Sequence, residues 1–132
     1  MPFIRIDALH ADSERLEALG RAVHEAMIAT IGIPVDDRFQ VLTSHDGSRS
    51  TLRHDPSFLG IDHDDMVFVA ITLRGGRTPE QKKALYRRIA DLAHQYAGVE
   101  PRNVLITLTE NEPLDWSFGN GVAQYAEQEP VR

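Results

Sequence analysis

Residues 3–9, FIRIDAL, alternate apolar and polar side chains with a period of two, the pattern of a half-buried strand. In the following segment, ADSERLEALGRAVHEAMIATIG, the period changes. Leu16, Leu19, Val23, Ala26, Met27 and Ile31 recur every three or four positions and so mark one face of a helix. Its ends are legible too. Asp12 or Ser13 is a suitable N-cap, Glu14 complements the positive end of the helix dipole, Gly32 can close the last turn, and Pro34 prevents the helix from resuming. Residues 38–44, RFQVLTS, predict a second strand. A strand, a helix and a strand in that order imply a parallel pair with a right-handed crossover.

The same plan then recurs. Residues 66–73, MVFVAITL, form a continuous apolar strand, suited to burial on both faces. In TPEQ, Thr78 is placed to cap a helix, with Pro79 at its first position and Gln81 completing a capping box. Leu85, Ile89, Leu92, Ala93 and Tyr96 continue the apolar stripe, Gly98 ends it, and residues 103–109, NVLITLT, supply the closing strand. Sliding the chain by 66 positions aligns Glu14 with Glu80, Leu19 with Leu85, Arg21 with Arg87 and Gly32 with Gly98, so helix starts and stops fall in register. Duplication is the best account of that match.

The expected fold class is therefore α+β: one domain over residues 1–132, built from two fused β-α-β units (2–45 and 66–110), a polar connection (46–65) and a C-terminal tail (111–132). Four strands make one sheet, with both helices on one face. The connection is expected to carry a short hairpin or an excursion to a neighbouring subunit. The second face of the sheet needs a cover, which predicts an oligomer whose sheets pack around a shared axis.

Composition narrows the function classes. With 14 Lys+Arg against 20 Asp+Glu the net charge is −6, which excludes a broad electrostatic footprint for nucleic acid. No cysteine is present, so disulfides and thiol chemistry are excluded. No apolar run reaches the roughly 18 residues of a membrane span, and the start lacks a signal-peptide pattern; a cytoplasmic location is the expectation.

Several residues carry candidate chemistry. Removal of Met1 would leave Pro2 with a free secondary amine, able to act as base, acid or nucleophile, although a proline there also suits the first position of an edge strand. Asp37, in GIPVDDRFQ, offers a carboxylate near a strand start, where it can serve as acid, base or water orienter; a surface ion pair with Arg38 is the competing account. Arg74 and Arg77, in LRGGRT, follow the third strand and can hold a carboxylate between guanidinium forks, or simply be solvated. Trp116 and Phe118 can wall a small apolar pocket or staple the tail. The histidines of RHDPSFLGIDHDD match no strong zinc pattern, and His24 and His94 read as surface or boundary residues of the helices.

Taken together, PFIRIDAL, AVHEAM, GIPVDDRFQ, the strand ending in Arg74, EQKKALY and above all ENEPLDWSFGNG resemble the tautomerase superfamily, and within it the malonate semialdehyde decarboxylases. The resemblance implies a homotrimer without metal or organic cofactor, acting on a small carboxylate substrate. By position it makes Pro2 the catalytic amine, Asp37 the essential acid, and Arg74 the first substrate-binding arginine. Arg77 matches the second with a shift, because two glycines separate the pair, a spacing that resembles the haloacrylate dehalogenases of the same superfamily. Trp116, Phe118 and Tyr125 match aromatic pocket residues. The activity this implies is decarboxylation of malonate semialdehyde to acetaldehyde and carbon dioxide. A tautomerase, hydratase or dehalogenase of small 2-oxo or unsaturated acids is the alternative enzyme, and a trimeric binding module the non-enzymatic one.

Overall fold

The period-two segments become strands and the amphipathic segments helices, with small shifts at the ends. In the computed structural model, which describes residues 2–47 and 51–128, β1 is Phe3–Leu9, α1 Ser13–Ile31, β2 Gln40–His45 and β3 Val67–Arg74. Then follow α2 Pro79–Ala97, β4 Val104–Asn111 and a short α3, Gln124–Gln128. Both predicted helix starts hold. The Asp12 side chain accepts from the Arg15 amide, and Thr78 and Gln81 form the reciprocal capping box behind Pro79. Gly32 and Gly98 end the helices in the left-handed conformation.

β2 begins two residues later than its composition indicates, for a local reason. The Asp37 amide donates to the Pro34 carbonyl at 3.0 Å and the Arg38 amide to the Asp36 carbonyl at 3.1 Å, so the chain is still turning where the strand was expected to start. β4 likewise waits for a 3-10 turn at Pro101–Asn103.

The strand order is β2-β1-β3-β4. β1 runs parallel to β2 and β3 parallel to β4, as each β-α-β unit requires, while β1 and β3 meet antiparallel at the centre. Ile4, Ile6 and Ala8 of β1 and Val67, Val69, Ile71 and Leu73 of β3 point to one face, where Leu19, Val23, Met27, Leu85, Ile89 and Leu92 cover them. Each such fully buried aliphatic side chain contributes on the order of 1.5–3 kcal/mol, so this single layer of contacts carries most of the stability.

The other face of β3 is open in the single chain, the face for which an oligomeric cover is expected. Val67, Val69, Ile71 and Leu73 are enclosed, whereas Ala70 and Arg74 are exposed and Phe68 and Thr72 half-buried, because no second layer of the described residues covers that face. That face mixes apolar Phe3, Val41 and Leu105, between 37% and 46% exposed, with polar groups such as the Asp7–His45 pair at 2.8 Å. Among the described residues of the 46–65 connection there is a 3-10 turn at Phe58–Gly60 and no strand; residues 48–50 lie outside the described residues. No helix of the described residues is long and apolar enough to cross a membrane.

Candidate active site

The register of the sheet decides which distant residues meet. β1 and β2 start, and β3 and β4 end, at the same edge of the sheet, because the central pair is antiparallel and the outer pairs are parallel. Phe3 lies opposite Thr72, so one step further along the same ladder Pro2 comes alongside Leu73 and next to Arg74. On the other flank Ile4 pairs with Gln40, and the Ile4 amide donates to the Phe39 carbonyl at 3.0 Å, which brings the 34–39 segment and Asp37 to the head of β1. Pro2 is buried there. Met1 and residues 129–132, the end of the tail, lie outside the described residues.

Asp37 belongs to the turn before β2 rather than to the strand, and it is only 8% exposed. Burial pushes its carboxyl above the ordinary value of 3.8, against the opposing pull of the positively charged amino terminus and of His24. This is the environment of a carboxyl that can carry a proton nearer neutral pH than an exposed one does. The surface-ion-pair account does not hold: Arg38 turns away, its Nε donating to Gln40 Oε1 at 3.2 Å.

Linkage gives this burial a measurable sign. A carboxyl whose folded pKa is raised binds its proton more tightly folded than unfolded, so its contribution is fully favourable below the unfolded value and is lost as pH rises through the folded one. Asp37→Asn, which cannot ionise, should therefore gain stability relative to the parent between about pH 4 and pH 7. Urea unfolding at both pH values checks this, since a pure packing effect would give the same difference at each.

His24 is a correction. Expected at a helix surface or boundary, it is 5% exposed on the inner side of α1. Its Nε2–H donates to the Val35 carbonyl at 2.8 Å, while Nδ1 is enclosed with no hydrogen-bond partner among the described residues. His94 is exposed, in keeping with the expectation.

The two arginines sit at the same sheet edge in different states. Arg74 ends β3 and its guanidinium lies 5.8 Å from the centre of the Tyr125 ring. Arg77 is half-buried and bent back, its Nη1 donating to the Arg74 carbonyl at 2.8 Å. The turn between them depends on Gly76, whose φ of 119° is closed to residues with a Cβ. Glu110 stands close by. Its carboxyl is held below the usual range first by Lys82, whose Nζ is 3.0 Å away, and also by the Gly76 amide and the Arg77 charge. Arg77 is therefore bonded to the Arg74 carbonyl and lies within the electrostatic reach of Glu110.

The aromatic residues of the tail do come together. Trp116 and Phe118 stack with centroids 5.4 Å apart, and Tyr125 meets Phe118 edge-on at 5.1 Å. The tail is tied to β4 by Trp116 Nε1, which donates to Asn111 Oδ1 at 2.8 Å, and the Gln124 side chain bridges the Phe118 amide and the Gly119 carbonyl. Phe39, which sequence reasoning passed over, faces Phe118 at 6.2 Å. Phe39, Trp116 and Phe118 line a cleft of about 370 Å³ with Phe3, Gln40 and Ser117. The exposed aromatic directly after DDR was the available signal for Phe39.

A larger groove, about 660 Å³, crosses the helical layer between Asp12, Arg15, Arg21, Arg38 and Tyr96. Its polar walls satisfy one another: Tyr96 donates to Glu25 at 2.6 Å and Arg21 stacks over the Tyr96 ring at 4.2 Å. Pro2, Asp37 and Arg74 line neither this groove nor the aromatic cleft; it is the strand register, which brings the start of β1 beside the end of β3, that makes this end of the sheet the candidate.

Comparison with known proteins bears on this geometry. Two family models, each described as a tautomerase enzyme, match residues 37–119 and 2–58. "Probable tautomerase YusQ" of Bacillus subtilis is 43% identical over 129 residues, spanning 96% of this chain and all of that protein. Malonate semialdehyde decarboxylase is similar in two structural studies. The enzyme inhibited by 3-bromopropiolate is 36% identical with a TM-score of 0.86, covering 98% of both chains. The other is 27% identical with a TM-score of 0.83, covering 98% of this chain and 99% of that one. Fused 4-OT, solved as a symmetric trimer, shares the fold, with 21% identity, a TM-score of 0.75, and coverage of 94% and 98%.

Proposed function

Because the chain belongs to the tautomerase superfamily, we propose that it is a cofactor-independent enzyme whose amino-terminal proline, freed of Met1, decarboxylates malonate semialdehyde to acetaldehyde and carbon dioxide. The observation that carries this reading is the shared sheet edge: Pro2 and Arg74 adjoin through the β1–β3 ladder, and the buried Asp37 flanks them from the β2 side.

In this reading Arg74, with Arg77 behind it, holds the substrate carboxylate, and the rings of Trp116, Phe118, Phe39 and Tyr125 give the departing group apolar surroundings that favour neutral carbon dioxide over a charged carboxylate. The bond between carbons 1 and 2 breaks and its electron pair moves toward carbon 3. Pro2 makes carbon 3 the electron sink, either as an ammonium polarising the aldehyde oxygen or through an iminium formed with loss of water. Carbon 2 then takes up a proton, which in this reading a protonated Asp37 supplies, and hydrolysis of any iminium releases acetaldehyde.

A second reading is supported by the name of the 43%-identical relative, a probable tautomerase. The same arginines would anchor a 2-oxo acid while Pro2, neutral, moves a proton between carbon and oxygen. One experiment separates the two. Protein whose intact mass shows Met1 removed is incubated with malonate semialdehyde and, separately, with the enol of a 2-oxo acid. Acetaldehyde release with the first supports the decarboxylase; ketonisation of the second without acetaldehyde from the first replaces it with the tautomerase.

The half-exposed Phe3, Val41 and Leu105 on the open sheet face support a homotrimer with sheets turned inward, the assembly in which fused 4-OT, a protein of the same fold, was solved.

A further inference from the structure

Asp37 is carried by the turn that Pro34 opens. That turn is short and exposed on its outer side: Val35 is 68% exposed and Asp36 is exposed, so burial of neighbouring side chains does little to hold it. Hydrogen bonds hold it instead, and two of them bear on the segment leading to Asp37. One is internal, from the Asp37 amide to the Pro34 carbonyl at 3.0 Å. The other comes from outside, from His24 Nε2–H on α1 to the Val35 carbonyl at 2.8 Å. A carbonyl only accepts, so the Nε2 proton is required by the geometry.

We propose that His24 is a positioning residue for Asp37: it pins the Pro34–Asp37 turn to α1 through the Val35 carbonyl, and so fixes the carboxyl at the head of β1 beside Pro2. The proposal rests on the reading of Asp37 as the acid–base partner of the Pro2 amine.

Three observations support it. An imidazole that is 95% enclosed, with Nδ1 left without a hydrogen bond, is a costly choice for a core position that leucine or methionine could fill, and the Val35 bond gives it a use. His24 also lies close enough to Asp37 to oppose the upward shift that burial imposes on that carboxyl. Finally, the helix that presents His24 is itself fixed by the core, since Val23, Ala26 and Met27 beside it are fully enclosed, so the donor sits on a rigid support. His24 on α1 bears on the Asp37 carboxyl, while Arg38 is turned to Gln40 on β2 and Asp36 is exposed.

The test compares His24→Gln, whose amide can still donate to Val35, with His24→Met, which fills the space but cannot. In both, the Asp37 carboxyl is titrated by carbon-detected NMR alongside steady-state kinetics and thermal unfolding. His24→Met is expected to lower kcat about 10- to 100-fold with KM little changed, as a displaced catalytic group does. It should also move the Asp37 titration to higher pH. His24→Gln should keep kcat within about threefold of the parent. A folded His24→Met protein with the parent's kcat and the parent's Asp37 titration would overturn the proposal, as would a His24→Gln protein as impaired as His24→Met. Asp37→Asn serves as the control: if it turns over like the parent, the assignment of Asp37 fails, whereas the NMR titration still reports on His24 independently of activity.

Discussion

Protein that retains Met1 is expected to be inactive, and Pro2→Ala, processed to expose its own amine, to lose about 10²–10⁴-fold in kcat, the range that a positioned acid–base group contributes. The reason is elementary. With Met1 attached, the Pro2 nitrogen is an amide, which neither accepts a proton at ordinary pH nor adds to an aldehyde. Alanine restores an amine but not the ring, and the ring matters because Pro2 is enclosed at the head of β1 and the pyrrolidine blocks rotation about N–Cα, so the lone pair has a restricted direction. The measurement is specific activity against the fraction of molecules lacking Met1, read by intact mass. Activity independent of that fraction would remove the amine from the reaction, and with it both enzymatic readings.

Arg74→Ala is expected to lower kcat/KM about 10- to 100-fold, corresponding to the roughly 1.5–3 kcal/mol of a hydrogen bond to a charged partner. Arg77→Ala should cost less in substrate binding, because Arg77 already donates to the Arg74 carbonyl and lies in the field of Glu110, so part of its role is to shape the Gly75–Gly76 turn. Arg74→Lys should recover only part of the loss, since an ammonium keeps the charge but not the planar fork that matches a carboxylate. Steady-state kinetics of the three variants on malonate semialdehyde gives the order. Unchanged kinetics in Arg74→Ala would show that the carboxylate is held elsewhere, whatever becomes of Pro2.

These two expectations draw on different kinds of information. That Pro2 heads a strand, that Asp12 and Thr78 start helices, and that Gly32 and Gly98 end them follows from side chains acting on backbone within a few residues, which is why the sequence alone determines it. The parallel pairing inside each β-α-β unit is nearly as local, because only one crossover hand lets the helix lie back on its sheet. Misplaced strand starts, such as β2 at 40 rather than 38, arise where a turn's hydrogen bonds compete with strand propensity, and neither Pro34 nor Asp36 reveals in isolation which wins.

The site is another matter. Pro2, Asp37, Arg74 and the Trp116–Phe118 pair were recognisable as residue types, yet nothing in their spacing brings them to one edge. That depends on the antiparallel meeting of β1 and β3 across more than sixty residues of chain, a pairing made by non-local contacts. The burial of His24 and the turning of Arg77 onto the Arg74 carbonyl depend on it as well, because a side chain's surroundings come from whichever elements pack on it and not from its own neighbours in sequence. The sequence thus determined the pieces and their ends through short-range chemistry, while the tertiary structure alone decided which residues come to the same end of the sheet, because that choice is made by strands far apart in the chain.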